Sequence, residues 1–91
     1  MAEARRTRVT IANKLGLHAR PAMQFVDTAS QFRARITVRK QDHSVDGKSI
    51  MEMLTLAAGF GTELELEAVG EDAEAALNSL SMLLSQNFDG E

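Results

Sequence analysis

The segment "TELELEAVG", residues 62–70, alternates without a break: Leu64, Leu66 and Ala68 on one side, Glu63, Glu65 and Glu67 on the other. A period of two is the pattern of a strand with one dry face and one wet face. Parallel sheets are covered on both faces, so a strand with a charged face belongs to an antiparallel sheet that is open on one side. The rest of the chain then has one sheet face to cover.

The remaining patterns supply the cover. "RVTIA", residues 8–12, places Val9 and Ile11 on one face and Thr10 on the other, a first strand. From Ala19 the period changes, and Ala22, Phe25, Val26 and Ala29 form the apolar stripe of a helix ending near Gln31. "ARITVRK" and "HSV" read as a hairpin. Ser49 stands as the N-cap of a short helix, "IMEMLTLAA", which Gly59 or Gly61 is expected to end. After the strand at 62–70, Ala73, Ala76, Leu77, Leu80 and Leu84 carry a last helical stripe, with Asp72 and Glu74 near its positive end. The order is β α β β α β α, a two-layer α+β sandwich with helices on one face of an antiparallel sheet.

At 91 residues the chain is read as one domain, 1–91, with residues 1–7 and 87–91 expected to be frayed. It has no cysteine, so there is no disulfide framework, and a reducing cytoplasm fits best. The basic start, "MAEARRTRVTI", has no apolar run behind it and does not read as a secretory signal. A net charge of -3 without Trp or Tyr argues against nucleic acid, which calls for a basic face or aromatic stacking platforms. No run reaches the roughly 20 apolar residues of a membrane span, so no insertion in a membrane is expected.

"GLHARPA", residues 16–22, puts a histidine where Ser, Thr, Asp or Asn would ordinarily cap a helix. The first turn of a helix leaves backbone amides without intrahelical partners, and with the macrodipole they form an anion site. His18 as N-cap stands beside the amides of Ala19 and Arg20, and Pro21 costs little where an N–H would have no acceptor. The positive helix end favours the neutral, nucleophilic ring, and the Arg20 guanidinium can hold phosphoryl oxygens with its fork of donors. On the residues alone, a capping histidine, an anion-binding histidine and a phosphoryl acceptor all stay open. His43, in a polar turn, reads as structural. The helix "IMEML" is too short to bury Ile50, Met51, Met53 and Leu54 together, and what stays exposed reads as a partner surface.

Taken together, "GLHARPA", "KSIM" and "GTELELEAVGED" resemble the HPr family, the histidine-containing phosphocarriers of the bacterial phosphoenolpyruvate-dependent phosphotransferase system. The resemblance spans nearly the whole chain. It implies an open-faced β-sandwich, a four-stranded antiparallel sheet covered on one face by three helices. It implies that His18 is phosphorylated on Nδ1, that Arg20 contacts the phosphoryl group, that enzyme I is the donor and that IIA domains of sugar permeases are acceptors. It implies docking through Met23, Ile50, Met51 and Leu54, and regulatory phosphorylation of Ser49 by a dedicated HPr kinase/phosphorylase. A carrier of this kind is a monomer without metal or cofactor and is not an independent catalyst. Leu15 departs from the pattern, since many relatives carry a small polar residue there. "PAMQF" has the flavour of the regulatory, nitrogen-related branch, which is the alternative to sugar uptake. Two readings from other classes compete with the carrier: an α+β ligand-binding domain in which His18 only binds an anion, and an RNA-binding module.

Overall fold

A computed structural model describes residues 4–86. Its elements are β1 (Ala4–Thr10), α1 (Ala19–Ala29), β2 (Arg35–Lys40), β3 (His43–Asp46), α2 (Ile50–Leu54), β4 (Glu63–Val69) and α3 (Ala73–Leu84). The four strands form one sheet in the order β1-β4-β2-β3, every neighbouring pair antiparallel. β4, the segment with the cleanest alternation, is therefore the strand that carries both β1 and β2.

The two faces divide as the alternation requires. Val9, Ile36, Val38, Val45, Leu64, Leu66 and Ala68 point into the core. Against them lie Ala22, Phe25 and Ala29 of α1, Met53 of α2, and Ala73, Ala76, Leu77, Leu80 and Leu84 of α3, all buried. The outer face is a lattice of opposite charges, with Arg6 to Glu67 at 2.9 Å, Arg39 to Glu65 at 2.8 Å and Arg8 to Glu63 at 3.6 Å. Exposed pairs of this kind add little to stability, but like charges directly opposite would oppose pairing, so their signs help to set register.

Three boundaries differ from the sequence reading. Residues 4–7, expected to be frayed, are paired in β1, with Ala4 opposite Val69 and Thr7 opposite Leu66. This half of the strand is held by main-chain pairing and by charge, Arg6 on Glu67 and Arg5 within 3.9 Å of Glu74, so a search for apolar alternation misses it. α2 ends at Leu54, well before Gly59 or Gly61, with Thr55 as its C-cap. The Lys40 ammonium donates to the carbonyls of Leu56 and Ala57 at 3.1 and 3.2 Å, giving the chain beyond α2 an acceptor balance that needs no further helix. α1 stops at Ala29, two residues before Gln31. The expectation for residues 1–3 and 87–91 lies outside the described residues.

Asp72 precedes α3, yet its side chain does not cap that helix. Its carboxylate reaches across to the start of β2 and accepts from the N–H of Arg33 at 2.8 Å and of Ala34 at 2.9 Å. The Arg33 amide, ahead of the opposing effect of partial burial and with the help of Ala34, holds this carboxyl below its ordinary value of 3.8. A depressed folded value means that the tie stabilises the fold above the unfolded value, and that this contribution is lost as pH falls through the folded one. The urea midpoint of the wild type is accordingly expected to fall more steeply below about pH 4 than that of Asp72→Asn. Equal slopes in urea titrations from pH 5 to pH 2 would show that the tie carries no acid-dependent stability.

Candidate phosphoryl-acceptor site

The chain between β1 and α1 is pinned along its length. Ile11 exchanges backbone hydrogen bonds with Thr62 and Gly61, both at 2.9 Å, and Ala12 donates to Leu84 at 3.3 Å. A turn follows in which Gly16 N–H donates to the Asn13 carbonyl at 2.9 Å, and the Asn13 side-chain amide donates back to the Gly16 carbonyl at 2.9 Å. Leu17 N–H then donates to the Ala58 carbonyl at 2.7 Å, and the buried Leu17 side chain anchors the chain to the core. His18 N–H closes onto the Gly16 carbonyl at 3.0 Å. Histidine is thus delivered to the head of α1 from a fixed platform.

His18 is the N-cap of α1, extended at φ -83° and ψ -171°, and its carbonyl accepts the first helical bond from Ala22 at 3.1 Å. Its ring makes no capping hydrogen bond. The side chain is half-buried, and the enclosed ring nitrogen is Nε2. Ala19 and Arg20 are exposed and Pro21 is buried, so the head of α1 lies at the surface while the proline ring packs. No acidic side chain occupies that turn. The first turn of α1 thus adds no carboxylate of its own against the positive helix end, where backbone amides and the Arg20 guanidinium lie next to the ring.

The other residues singled out in the sequence fall at and around α2. Ser49 is its N-cap, and its hydroxyl oxygen accepts from Glu52 N–H at 3.2 Å. Glu52 in turn accepts from Asp46 N–H at 3.0 Å, and Asp46 accepts from Lys48 N–H at 2.9 Å. Met51 and Met23 are exposed at 75% and 55%, Leu54 at 42%, whereas Ile50 is partly buried against the core and Met53 is wholly buried. α1 and α2 pack side by side, which puts the exposed methionines on neighbouring elements. His43 lies at 3.0 Å from the Thr55 hydroxyl, which donates to the Glu52 carbonyl, so the imidazole Nε2 is the donor to Thr55. It braces the end of α2.

Periodicity does not reveal the exposure of two apolar loop residues. Leu15 and Phe60 are 67% and 66% exposed. They sit on the 13–16 turn and the segment after α2, which meet where Gly16 lies against Ala58 and Gly59. Neither falls on a periodic stripe. The available signal was the pairing of a bulky apolar residue with glycine in a loop, "KLG" and "GFG". Among the described residues no group of three or more His, Cys, Asp or Glu is placed to hold a metal ion.

An open-faced sandwich that presents a histidine at the head of its first helix is the architecture of the small phosphocarrier proteins. The solved structure of HPr-C-His from Thermoanaerobacter tengcongensis superposes with a TM-score of 0.89 at 42% identity, covering 96% of this chain and 97% of that one. Phosphocarrier protein HPr of Pseudomonas aeruginosa is 49% identical over 82 residues, 89% of this chain and 91% of its own. Phosphocarrier protein NPr of Shewanella violacea is 41% identical over 81 residues, 89% of each chain. The family model PTS-HPr, described as the PTS HPr component phosphorylation site, matches residues 5–86. The chain belongs to the HPr family of phosphocarrier proteins.

Proposed function

We propose that the chain accepts a phosphoryl group from enzyme I on Nδ1 of His18 and passes it to IIA domains of sugar permeases, acting as a monomer in the cytoplasm. The observation that carries this is the ring of His18: it heads α1, does not cap it, and has Nε2 enclosed. Enclosure of Nε2 disfavours in-line approach to that nitrogen and so supports Nδ1, the nitrogen implied by the resemblance to the HPr family, as the one that attacks. In the neutral ring the proton then sits on Nε2 and the lone pair on Nδ1. That lone pair forms the N–P bond as the donor's bond to phosphorus breaks and its electron pair departs with the donor. The amides of Ala19 and Arg20 and the Arg20 guanidinium bind the equatorial oxygens. Transfer of this kind rests on positioning and electrostatic stabilisation, shared between the two proteins. The family relationship supports the carrier role and the absence of independent catalysis.

The test is the intact mass of the protein after incubation with enzyme I and phosphoenolpyruvate. A gain of one acid-labile, alkali-stable phosphoryl group is expected. Reversible phosphate binding with no covalent adduct would favour the anion-binding reading instead. The NPr relative supports a second reading, in which the acceptors belong to the regulatory, nitrogen-related branch. Transfer from the phosphorylated protein to a IIA domain of each branch, measured side by side, separates the two.

Met23, Ile50, Met51 and Leu54 form the docking surface in this reading, and Ser49 at the N-terminus of α2 is the regulatory phosphorylation site for a dedicated kinase. Met51 is the most exposed of the four. Met51→Glu is expected to leave the melting temperature nearly unchanged and to raise KM for phosphorylation by enzyme I, because a carboxylate must shed its water to enter an apolar contact. The loss of docking energy is about 1 to 3 kcal/mol. A large drop in melting temperature with an unchanged KM would remove Met51 from the docking surface.

A further inference from the structure

Asn13 is 2% exposed, the one buried polar residue among the described residues, and it lies five positions before the histidine. Its carbonyl takes the Gly16 N–H and its side-chain amide donates to the Gly16 carbonyl, both at 2.9 Å, so a single residue closes the turn from both ends. The same Gly16 carbonyl accepts the N–H of His18 at 3.0 Å. The exposed residues between them, Lys14 and Leu15, contribute no anchor to the core. The other half of the Asn13 amide, Oδ1, is buried without a hydrogen-bond partner among the described residues. A buried acceptor left unmet is unfavourable. An alanine or a valine would avoid that cost, so the turn keeps an asparagine for what Nδ2 does.

We propose that Asn13 is the positioning residue of the acceptor histidine: by holding the Gly16 carbonyl, it fixes the point from which the His18 main chain hangs and so aims the ring at the incoming phosphoryl group. Asn13 does not touch the phosphoryl group; it acts through Gly16. The inference rests on the phosphocarrier reading of His18. In-line transfer is sensitive to displacements of the reacting atom of the order of an ångström, and loss of the Nδ2 bond releases the carbonyl that sets the height of His18. Docking is expected to stay intact, because Met23, Met51 and Leu54 are carried by α1 and α2 and not by the turn.

The experiment compares wild type, Asn13→Ala, Asn13→Ser and Leu80→Ala as full-length proteins, in urea unfolding and in steady-state phosphorylation by enzyme I with phosphoenolpyruvate. Leu80 is wholly buried on α3 and serves as the destabilised control. Asn13→Ala is expected to lower kcat on the order of tenfold per folded molecule, with KM within about twofold of wild type. Asn13→Ser, which retains a short donor, should fall between the two. Leu80→Ala should lose stability and keep its rate per folded molecule. A kcat for both Asn13 variants within about twofold of wild type, or a loss no larger than that of Leu80→Ala, overturns the assignment. If Asn13→Ala does not fold, Asn13→Ser decides alone by the same criterion. A wild-type protein that gains no phosphoryl group would instead overturn the carrier reading itself, and this inference with it.

Discussion

His18→Ala is expected to gain no phosphoryl mass from enzyme I and phosphoenolpyruvate, while His43→Ala gains one as the wild type does. The two histidines differ in every respect that matters for attack on phosphorus. His18 heads a helix of 11 residues whose first turn holds no carboxylate. His43 starts a strand and is engaged through Nε2 with Thr55. The urea midpoint is measured beside the mass, and a midpoint close to that of wild type means that loss of phosphorylation cannot be ascribed to unfolding. Arg20→Lys belongs to the same experiment as a graded variant. It keeps the charge and loses the planar fork, so the transfer step should slow by about 1 to 3 kcal/mol in its transition state. An alanine at 18 that is still phosphorylated would move the acceptor elsewhere, and an unchanged rate for Arg20→Lys would leave the anion to the backbone amides.

The legible part of this molecule is the part written in periodicity. Leu64, Leu66 and Ala68 against Glu63, Glu65 and Glu67 define the sheet's two faces, and all three apolar members are buried. The stripe of α3 is buried at each of its five positions. What periodicity could not convey is what the chain does by reaching across space. Asp72 reads in sequence as a charge near the positive end of α3, yet its carboxylate is drawn to the two amides just before β2, 38 and 39 positions away. The first half of β1 is carried by Arg6 and Glu67, 61 positions apart, and no local pattern announces that pairing. At the site, the motif "GLHARPA" made His18 and Arg20 legible, because a helix N-terminus is a local feature with local chemistry. The tie from Asn13 to Gly16 is also local, but an asparagine before a lysine reads as an ordinary polar loop until its burial is known. Leu15 and Phe60 are exposed by the way two loops meet, and Met51 by the shortness of α2.

Gly16 concentrates these dependencies in one position, and Gly16→Ala is expected to damage stability and transfer together. Gly16 has φ +77°, a left-handed conformation that costs an L residue about 1 to 2 kcal/mol. A Cβ built there would lie 2.8 Å from the Ala58 carbonyl oxygen and 2.9 Å from the Gly59 Cα. Both are backbone atoms, so no side chain can swing aside to make room, and relief requires the 13–16 turn to part from the 58–59 segment. Strain of that kind adds about 1 to 3 kcal/mol, for a total of roughly 2 to 5 kcal/mol from the two effects. Parting the segments would also break the bond from Leu17 N–H to the Ala58 carbonyl, the last tie before His18. The urea midpoint should therefore fall, and the rate of His18 phosphorylation should fall further than the unfolded fraction explains. The reason is that the strained turn relaxes by moving the platform rather than by melting the sheet. A variant that is destabilised but fully active when folded would show that the platform's exact height does not matter to transfer. One that is neither destabilised nor slowed would show that the close approach of the two loops is not maintained in solution.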